Sequence, residues 1–222
     1  MLGDHTPRRG FLARAGAAVA ALVALDKAPA HALTEQASDN DKWLDRLTAK
    51  NRQLFDFNAA GDGIGLIHMH NYMETLKSAY GVSQSDINIV GTCYGGTTPL
   101  AWNDAMWAKY KIGAALNIVD PSTNSPLARN WYYRPKKTDP VFFNGLLADA
   151  GIESLMNRGA VFLMCNNAFR LWVGRLAAAG NGKAEDIDKE IRANLLPGIV
   201  TVPAMVIAVG RAQQRGLQYM RT

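Results

Sequence analysis

Several patterns that carry common chemistries are missing from this chain of 222 residues. It has no GxSxG motif, no HExxH motif and no paired-carboxylate signature, so the common hydrolase classes lose support. It has 2 cysteines, Cys93 and Cys165, and 4 histidines, with no quartet at the spacing of a zinc site. Two cysteines are also too few for the disulfide framework of a small secreted scaffold.

Strong charge and long apolar runs are absent as well. The formal net charge is +5, and the one dense basic cluster is Arg134-Pro135-Lys136-Lys137. A mild excess of this kind does not indicate nucleic acid as a partner. The apolar run at residues 15–25 is shorter than the roughly 20 residues that span a bilayer. We therefore predict no permanent membrane span.

The N-terminus resembles a signal peptide. Residues 7–12 contain the pair Arg8-Arg9 and precede the uncharged run at residues 15–25, which is followed by Ala-His-Ala at residues 30–32. The paired arginines resemble the twin-arginine export motif, which carries folded proteins across the membrane. We predict that residues 1–32 are removed and that the mature protein is periplasmic or exported.

The rest of the chain predicts an α/β domain at residues 52–222, preceded by a helical segment or tail at residues 33–51. Five short apolar segments alternate with helical patterns, which argues for a five-stranded, mostly parallel sheet covered on both faces. This is the doubly wound, flavodoxin-like class. Its strand order 2-1-3 would place the first strand between the second and the third. The five segments are RQLFDFNA, DINIVGTCYGG, AVFLMC, GIVTVP and LQYMRT.

A long insertion interrupts the alternation at about residues 111–144. The segment is rich in Pro, Asn, Ser and Asp, and it is too long for an ordinary connection. Segments of this length are usually lids, oligomer contacts or disordered. The run Trp131-Tyr132-Tyr133 argues against pure disorder, because aromatic rings usually find a surface on which to pack.

Cys165 is the last residue of its predicted strand, so we expect it at the edge of the sheet where ligands collect in open parallel sheets. Asn166 or Asn167 can cap the helix that follows. The backbone N–H groups at the start of that helix would favour the thiolate form of the sulfur, which is nucleophilic and binds metals. The alternative is that Cys165 is a small buried apolar residue at a strand end.

Two stretches resemble the DsrE/DsrF-like family of sulfur-relay proteins. They are GAVFLMCNNAFR and LLPGIVTVPAMVIAVGRAQQRGLQYMRT, and the stretch AYGVSQSDINIVGTCYGG resembles the family more weakly. The resemblance implies a small α/β protein that assembles into a homotrimer or homohexamer. It also implies that Cys165, at the position of the relay cysteine, carries sulfur as a persulfide, with a small sulfur compound or a relay protein as partner.

The resemblance gives the leading functional hypothesis, an exported protein that handles sulfane sulfur as a persulfide carrier or a sulfur-binding protein. Asn166, Asn167 and the helix start would stabilise the charged sulfur, and Arg170 would meet an anionic substrate if it faces the same edge. The hypothesis requires no cofactor. It leaves open whether the protein is a sulfurtransferase-like carrier or only a binding protein.

Two other readings stay open at this stage. His68 and His70, two positions apart in a predicted helix, point about 200° apart, so a joint metal site there would require a non-helical backbone. One of them paired with Cys165 would give a periplasmic protein that binds haem or a metal without catalysis. In the other reading the protein is a structural or accessory oligomer. Cys93 ends its own strand, and we expect both thiols to be free.

Overall fold

A computed structural model describes residues 39–57 and 59–222, so the predicted signal peptide at residues 1–32 lies outside the described residues. The helices and strands follow in chain order. The strands are β1 (Asn51–Asp56), β2 (Ile87–Cys93), β3 (Val119–Asp120), β4 (Ser125–Pro126), β5 (Val161–Cys165), β6 (Val200–Val202) and β7 (Gln218–Arg221). The α-helices are α1 (Ile64–Tyr80), α2 (Asp104–Lys109), α3 (Ile112–Ala115), α4 (Ile152–Asn157), α5 (Asn166–Ala178), α6 (Ala184–Ala193) and α7 (Met205–Gln214). A further, irregular helical turn covers Val141–Asn144. Short 3-10 helices cover Lys42–Arg46, Gln84–Asp86, Gly95–Ala101 and Ala148–Ala150.

Five of the strands form one parallel sheet in the order β6-β5-β2-β1-β7. Each of the five apolar segments in the sequence is a strand of this sheet, and helices flank it. The predicted α/β class with a five-stranded parallel sheet is therefore confirmed, and it is consistent with a doubly wound, flavodoxin-like fold. The short antiparallel pair β3 and β4 lies within the insertion.

The predicted lateral order 2-1-3 is wrong. Strand β2 pairs with β1 on one side and with β5 on the other, where Cys93 is level with Met164. The chain therefore builds outward from β1 through β2, β5 and β6, and only then returns to add β7 beside β1. Parallel crossovers are right-handed, so this late change of direction brings α7 to the opposite face from the earlier helices.

Two apolar cores of unequal size follow from this topology. The larger lies under helices α1, α2, α5 and α6 and includes the large side chains Trp102, Trp107 and Phe162. The smaller lies on the other face, where α7 and the 3-10 helix Lys42–Arg46 cover the inward residues of β1, β2 and β5. The described part of the predicted N-terminal segment therefore buries Trp43 and Leu44 against this second face.

Glycines set both ends of the first long helix. Gly63 precedes α1 with φ 81° and Gly81 follows it with φ 65°, a left-handed conformation that costs glycine little. At 17 residues α1 is the longest helix among the described residues. Among the described residues no helix has the length and apolarity to cross a bilayer.

The insertion packs into the larger core. Leu127, Trp131, Tyr132 and Phe142 are all buried there, which confirms that the aromatic rings of this segment find a packing surface. Asn130 is 1% exposed and anchors the segment by three hydrogen bonds. Its Nδ2 donates to the carbonyls of the Gly95–Trp102 stretch, at residues 100 and 102, and its Oδ1 accepts from the backbone at residue 132.

Candidate functional site

Cys165 lies where the sequence placed it, at the carboxyl end of β5 and directly before α5. It is the N-cap residue of that helix and is 6% exposed, so its sulfur lies just beneath the surface of the smaller core. The side chain faces α7, because Leu163 and Cys165 alternate with Phe162 and Met164, which face the larger core.

The sulfur of Cys165 accepts hydrogen bonds from two backbone N–H groups. One comes from Ala168 in the first turn of α5, with a nitrogen to sulfur distance of 3.4 Å. The other comes from Met205, the first residue of α7, also at 3.4 Å. The starts of two helices therefore meet at one sulfur atom. Both carry partial positive charge, which favours a negative charge at this point.

The short strand β6 explains why α7 begins at the sulfur. Val202 of β6 is level with Cys165 of β5, so the two chains leave the sheet side by side. Ala204 is extended, with φ −146° and ψ 131°, and turns the chain back over the sheet into α7. The sequence did not predict this second donor, because Met205 lies 40 positions from Cys165.

Cys93 differs from Cys165 in the core that it faces and in its hydrogen-bond partners. It is 0% exposed and lies in the larger core, on the opposite face of the sheet. Burial raises the pKa of the Cys93 thiol to about 12. Both cysteines are free, as expected. The two strands are neighbours, but the side chains of the two cysteines point to opposite faces of the sheet.

The structure does not gather the other proposed sulfur-binding residues around Cys165. Asn166 accepts a hydrogen bond from Arg192 of α6 at 2.7 Å, so its side chain is directed to the neighbouring helix. Asn167 is exposed. Arg170 lines a groove of about 490 Å³ between α5 and α6, together with the acidic residues Glu185 and Asp188. Its charge is therefore directed away from the thiol.

The two histidines also lie apart from each other and from the thiol. His70 contacts Arg158 at 3.2 Å, and burial together with the Arg158 charge lowers the pKa of His70. His68 lines an apolar groove of about 440 Å³ beside β7. Both belong to the helix on the larger core, whereas Cys165 faces the smaller one. The described residues contain no group of three or more potential metal ligands, and this geometry does not support the predicted pairing of a histidine with Cys165.

A polar cluster that the sequence analysis missed lies on the same face as Cys165. Asp56 ends β1 and is 7% exposed. Its carboxylate accepts a hydrogen bond from the Thr92 hydroxyl at 3.2 Å and one from the Tyr219 hydroxyl at 2.7 Å. The Tyr94 hydroxyl lies close enough to the carboxylate for Asp56 to raise its pKa. A single signal was available in the sequence, an aspartate inside the apolar strand segment RQLFDF.

The tyrosine hydroxyls of this cluster remain protonated, and that of Tyr219 donates to Asp56. Burial, and then the contact with Asp56, raise the pKa of Tyr94 to about 12. The hydrogen bond to Asp56 is the main cause that raises the pKa of Tyr219. Arg221 lies close enough to both hydroxyls to oppose these shifts. We call the set Asp56, Thr92, Tyr94 and Tyr219 the Asp56 cluster.

The site thus combines one thiol at two helix starts with a nearby carboxylate surrounded by hydroxyls. The chain matches no protein-family model and no curated protein sequence. The geometry of these residues therefore carries the functional argument. Cysteine sulfur is the group among these residue types that commonly forms and breaks covalent bonds.

Proposed function

We propose that the protein handles sulfane sulfur through Cys165, as a persulfide carrier or a sulfur-binding protein. The observation that carries this proposal is the pair of backbone N–H groups, from Ala168 and Met205, that converge on the sulfur. Hydrogen bonds to a charged acceptor are the stronger ones, so this pair stabilises a thiolate or a persulfide anion more than a neutral thiol.

Limited access to the Cys165 sulfur restricts the size of the sulfur donor that can react with it. Cys165 is 6% exposed, beneath the first turn of α7. A short linear species such as inorganic polysulfide needs little room, whereas an aromatic disulfide reagent needs the helix start to move. We therefore expect polysulfide to react with Cys165 much faster than a bulky aromatic disulfide does.

The proposed step is a transfer of one sulfur atom. The Cys165 thiolate attacks the sulfane sulfur of the donor and forms a new sulfur–sulfur bond. The bond between that sulfur and the rest of the donor breaks, and the remaining thiolate leaves with the electron pair and takes a proton from water. No external oxidant or reductant is needed, because the sulfane sulfur passes between two thiolates.

Mass spectrometry after incubation with polysulfide tests the proposal. We expect an added mass of one sulfur atom, mapped to the peptide that contains Cys165, in the wild type and in Cys93→Ser. The adduct should be absent in Cys165→Ser. An adduct that persists in Cys165→Ser, or no adduct in the wild type, would contradict the proposal. Cys93→Ser is the matched control, since Cys93 lies in the larger core.

We also propose membership of the DsrE/DsrF-like family and export by the twin-arginine route. The support for the family is the sequence resemblance around Cys165 together with the five-stranded parallel sheet. The support for the export route is the signal-peptide pattern at residues 1–32. Export of the precursor with Arg8→Lys and Arg9→Lys tests the route. Export at the wild-type level would contradict it.

We further propose that the protein forms a homotrimer or homohexamer. The support is that α7 carries two large apolar side chains on its outer side, Val206 at 77% exposed and Ile207 at 63%. Light scattering coupled to size-exclusion chromatography measures the assembly. We expect Ile207→Lys to lower the mass to that of a monomer, and a monomeric wild type would contradict the proposal.

A further inference from the structure

The Asp56 cluster lies where the order of the parallel sheet reverses. The chain passes from β1 to β2, β5 and β6 and returns to place β7 on the other side of β1. Asp56 is the last residue of β1 and lies opposite Arg221, the last residue of β7, in the strand register. The cluster therefore lies at this junction. In open α/β sheets ligands bind beyond the carboxyl ends of the strands at such a reversal.

The hydrogen bonds of the cluster leave it rich in acceptors. The Thr92 and Tyr219 hydroxyls donate to the Asp56 carboxylate, and the Tyr94 hydroxyl lies close to it. An ionised carboxylate has about four acceptor positions, so at least one remains open. The two tyrosine oxygens keep their own lone pairs, and Tyr219 is partly exposed to solvent. The free positions at the surface are therefore acceptors.

Among the described residues, the Asp56 carboxylate also has no direct ion pair. A buried carboxylate is costly unless it is paired with a cation. Asp56 is bonded by hydroxyls, and among the described residues no lysine or arginine forms an ion pair with it. Arg221 acts on the tyrosines only through its charge. A cation with several N–H donors would satisfy the open acceptors and neutralise the carboxylate.

We propose that the Asp56 cluster binds the ammonium group of a low-molecular-weight aminothiol persulfide that delivers sulfur to Cys165. An ammonium carries three N–H donors, which match one carboxylate oxygen and two tyrosine oxygens. This inference rests on the proposed function, because it names the donor for the same thiol. It assigns the cluster to donor recognition and Cys165 to the covalent step.

The two ends of the proposed site lie on one face of the sheet. Asp56 follows Phe55, which is level with Gly91 and, through it, with Phe162 of β5. Cys165 is therefore two strand spacings across the sheet, about 10 Å, and two residues further along, about 7 Å. Tyr94, directly after the strand between them, packs on the same face as Cys165. The donor therefore has to span about 12 Å between the two Cα atoms, less the reach of the side chains.

The sulfur transfer balances with this donor. The Cys165 thiolate attacks the terminal sulfur of the donor persulfide, and a sulfur–sulfur bond forms to Cys165. The sulfur–sulfur bond of the donor breaks, and the aminothiol leaves as a thiolate that takes a proton. The ammonium group remains charged throughout, so the cluster holds the donor without taking part in the bond changes.

A binding experiment tests the cluster independently of the thiol. S-methylcysteamine, which has an ammonium group and an unreactive sulfur, is titrated into the Cys165→Ser protein and followed by NMR. We expect amide shifts at residues 92–94 and 219–221, at least tenfold weaker binding in Asp56→Asn/Cys165→Ser, and no comparable shifts with neutral 2-(methylthio)ethanol. Absence of the S-methylcysteamine shifts overturns the inference. Tyr219→Phe/Cys165→Ser, which leaves the carboxylate in place, should bind a few-fold more weakly.

A rate experiment links the cluster to the reaction. Cystamine and bis(2-hydroxyethyl) disulfide are similar in length and differ in their ammonium groups, and each forms a mixed disulfide with a reactive thiol. We expect the wild type to prefer cystamine at least tenfold and Asp56→Asn to lose most of that preference. Arg221→Gln should increase it, because the repelling charge is removed. Equal rates for both reagents in the wild type overturn the inference.

The two experiments separate the two proposals. Specific binding of S-methylcysteamine without sulfur transfer to Cys165 from polysulfide would retain the ammonium site and refute the proposed function. Transfer to Cys165 from polysulfide without ammonium binding would retain the proposed function and refute the ammonium site.

Discussion

The hydrogen bond from Met205 to the sulfur can be removed without removing the helix that supplies it. Met205 is the first residue of α7, and its N–H donates to Cys165 at 3.4 Å. Proline is favoured at this helical position and has no N–H. Ala204 already has the extended conformation that a residue before proline prefers. Met205→Pro therefore deletes one donor and keeps the backbone path.

The matched control is Met205→Ala, which keeps the N–H and loses the side chain. Met205 is buried in the smaller core, so both variants lose the same packing. A hydrogen bond to a charged group contributes about 1.5 to 3 kcal/mol. We take the lower end because 3.4 Å is a moderate distance. About 1.4 kcal/mol corresponds to a tenfold change in the thiolate population.

The assay is the rate at which iodoacetamide alkylates Cys165, followed by intact mass in a Cys93→Ser background. At neutral pH we expect Met205→Pro to react about three- to fourfold more slowly than Met205→Ala, because the tenfold smaller thiolate fraction is partly offset by the greater nucleophilicity of the more basic thiolate. The difference should narrow as the pH is raised, because hydroxide then supplies the thiolate in both variants. Equal rates at neutral pH would refute the role of the helix start. The same difference at every pH would indicate a change of access instead of ionisation.

Three further predictions concern other residues. Asn130→Ala should lower the free energy of unfolding by about 3 to 5 kcal/mol in urea titrations, because it leaves three buried backbone groups without partners. The control is the exposed Asn167→Ala, which should change the free energy of unfolding by less than about 0.5 kcal/mol. A small loss for Asn130→Ala would contradict the anchoring role. The pKa of His70 is lowered in the folded state by burial and by Arg158, so the unfolded chain binds more protons below about pH 6.5 and stability should fall as the pH falls through that value. His70→Asn should flatten this part of the pH profile, and an unchanged profile would contradict the assignment. Native Cys93 should resist iodoacetamide and react only after denaturation, since burial raises its pKa to about 12.

The sequence was sufficient for the strands because their signal is local. Each apolar segment bounded by glycine, proline or a polar turn became a strand of the parallel sheet. The position of Cys165 at a strand end followed from the same local pattern. Local composition also predicted that the aromatic residues of the insertion would be packed, although it gave no partner for them.

The lateral order of the strands was not available from local pattern. A right-handed crossover can add the next strand on either side of the previous one if the covering helix changes face. The order 2-1-3 was therefore expected only because it is common in the flavodoxin-like class. In this chain the direction in which strands are added reverses at the last strand instead. Both the Met205 donor and the Asp56 cluster depend on that reversal. Neither could be placed before the position of β7 and α7 was known.

Strand order and side-chain alternation together separate the two thiols. Cys93 is level with Met164, so the Cα atoms of the two cysteines are about 6 Å apart, within the range of a disulfide. Because the offset is one residue, Cys93 faces the larger core and Cys165 faces the smaller one. A register shift of one residue would have placed both sulfurs on one face. The alternation of side chains therefore prevents a disulfide between the two cysteines. The sulfur of Cys165 instead accepts hydrogen bonds at the starts of α5 and α7, on the same face as the Asp56 cluster.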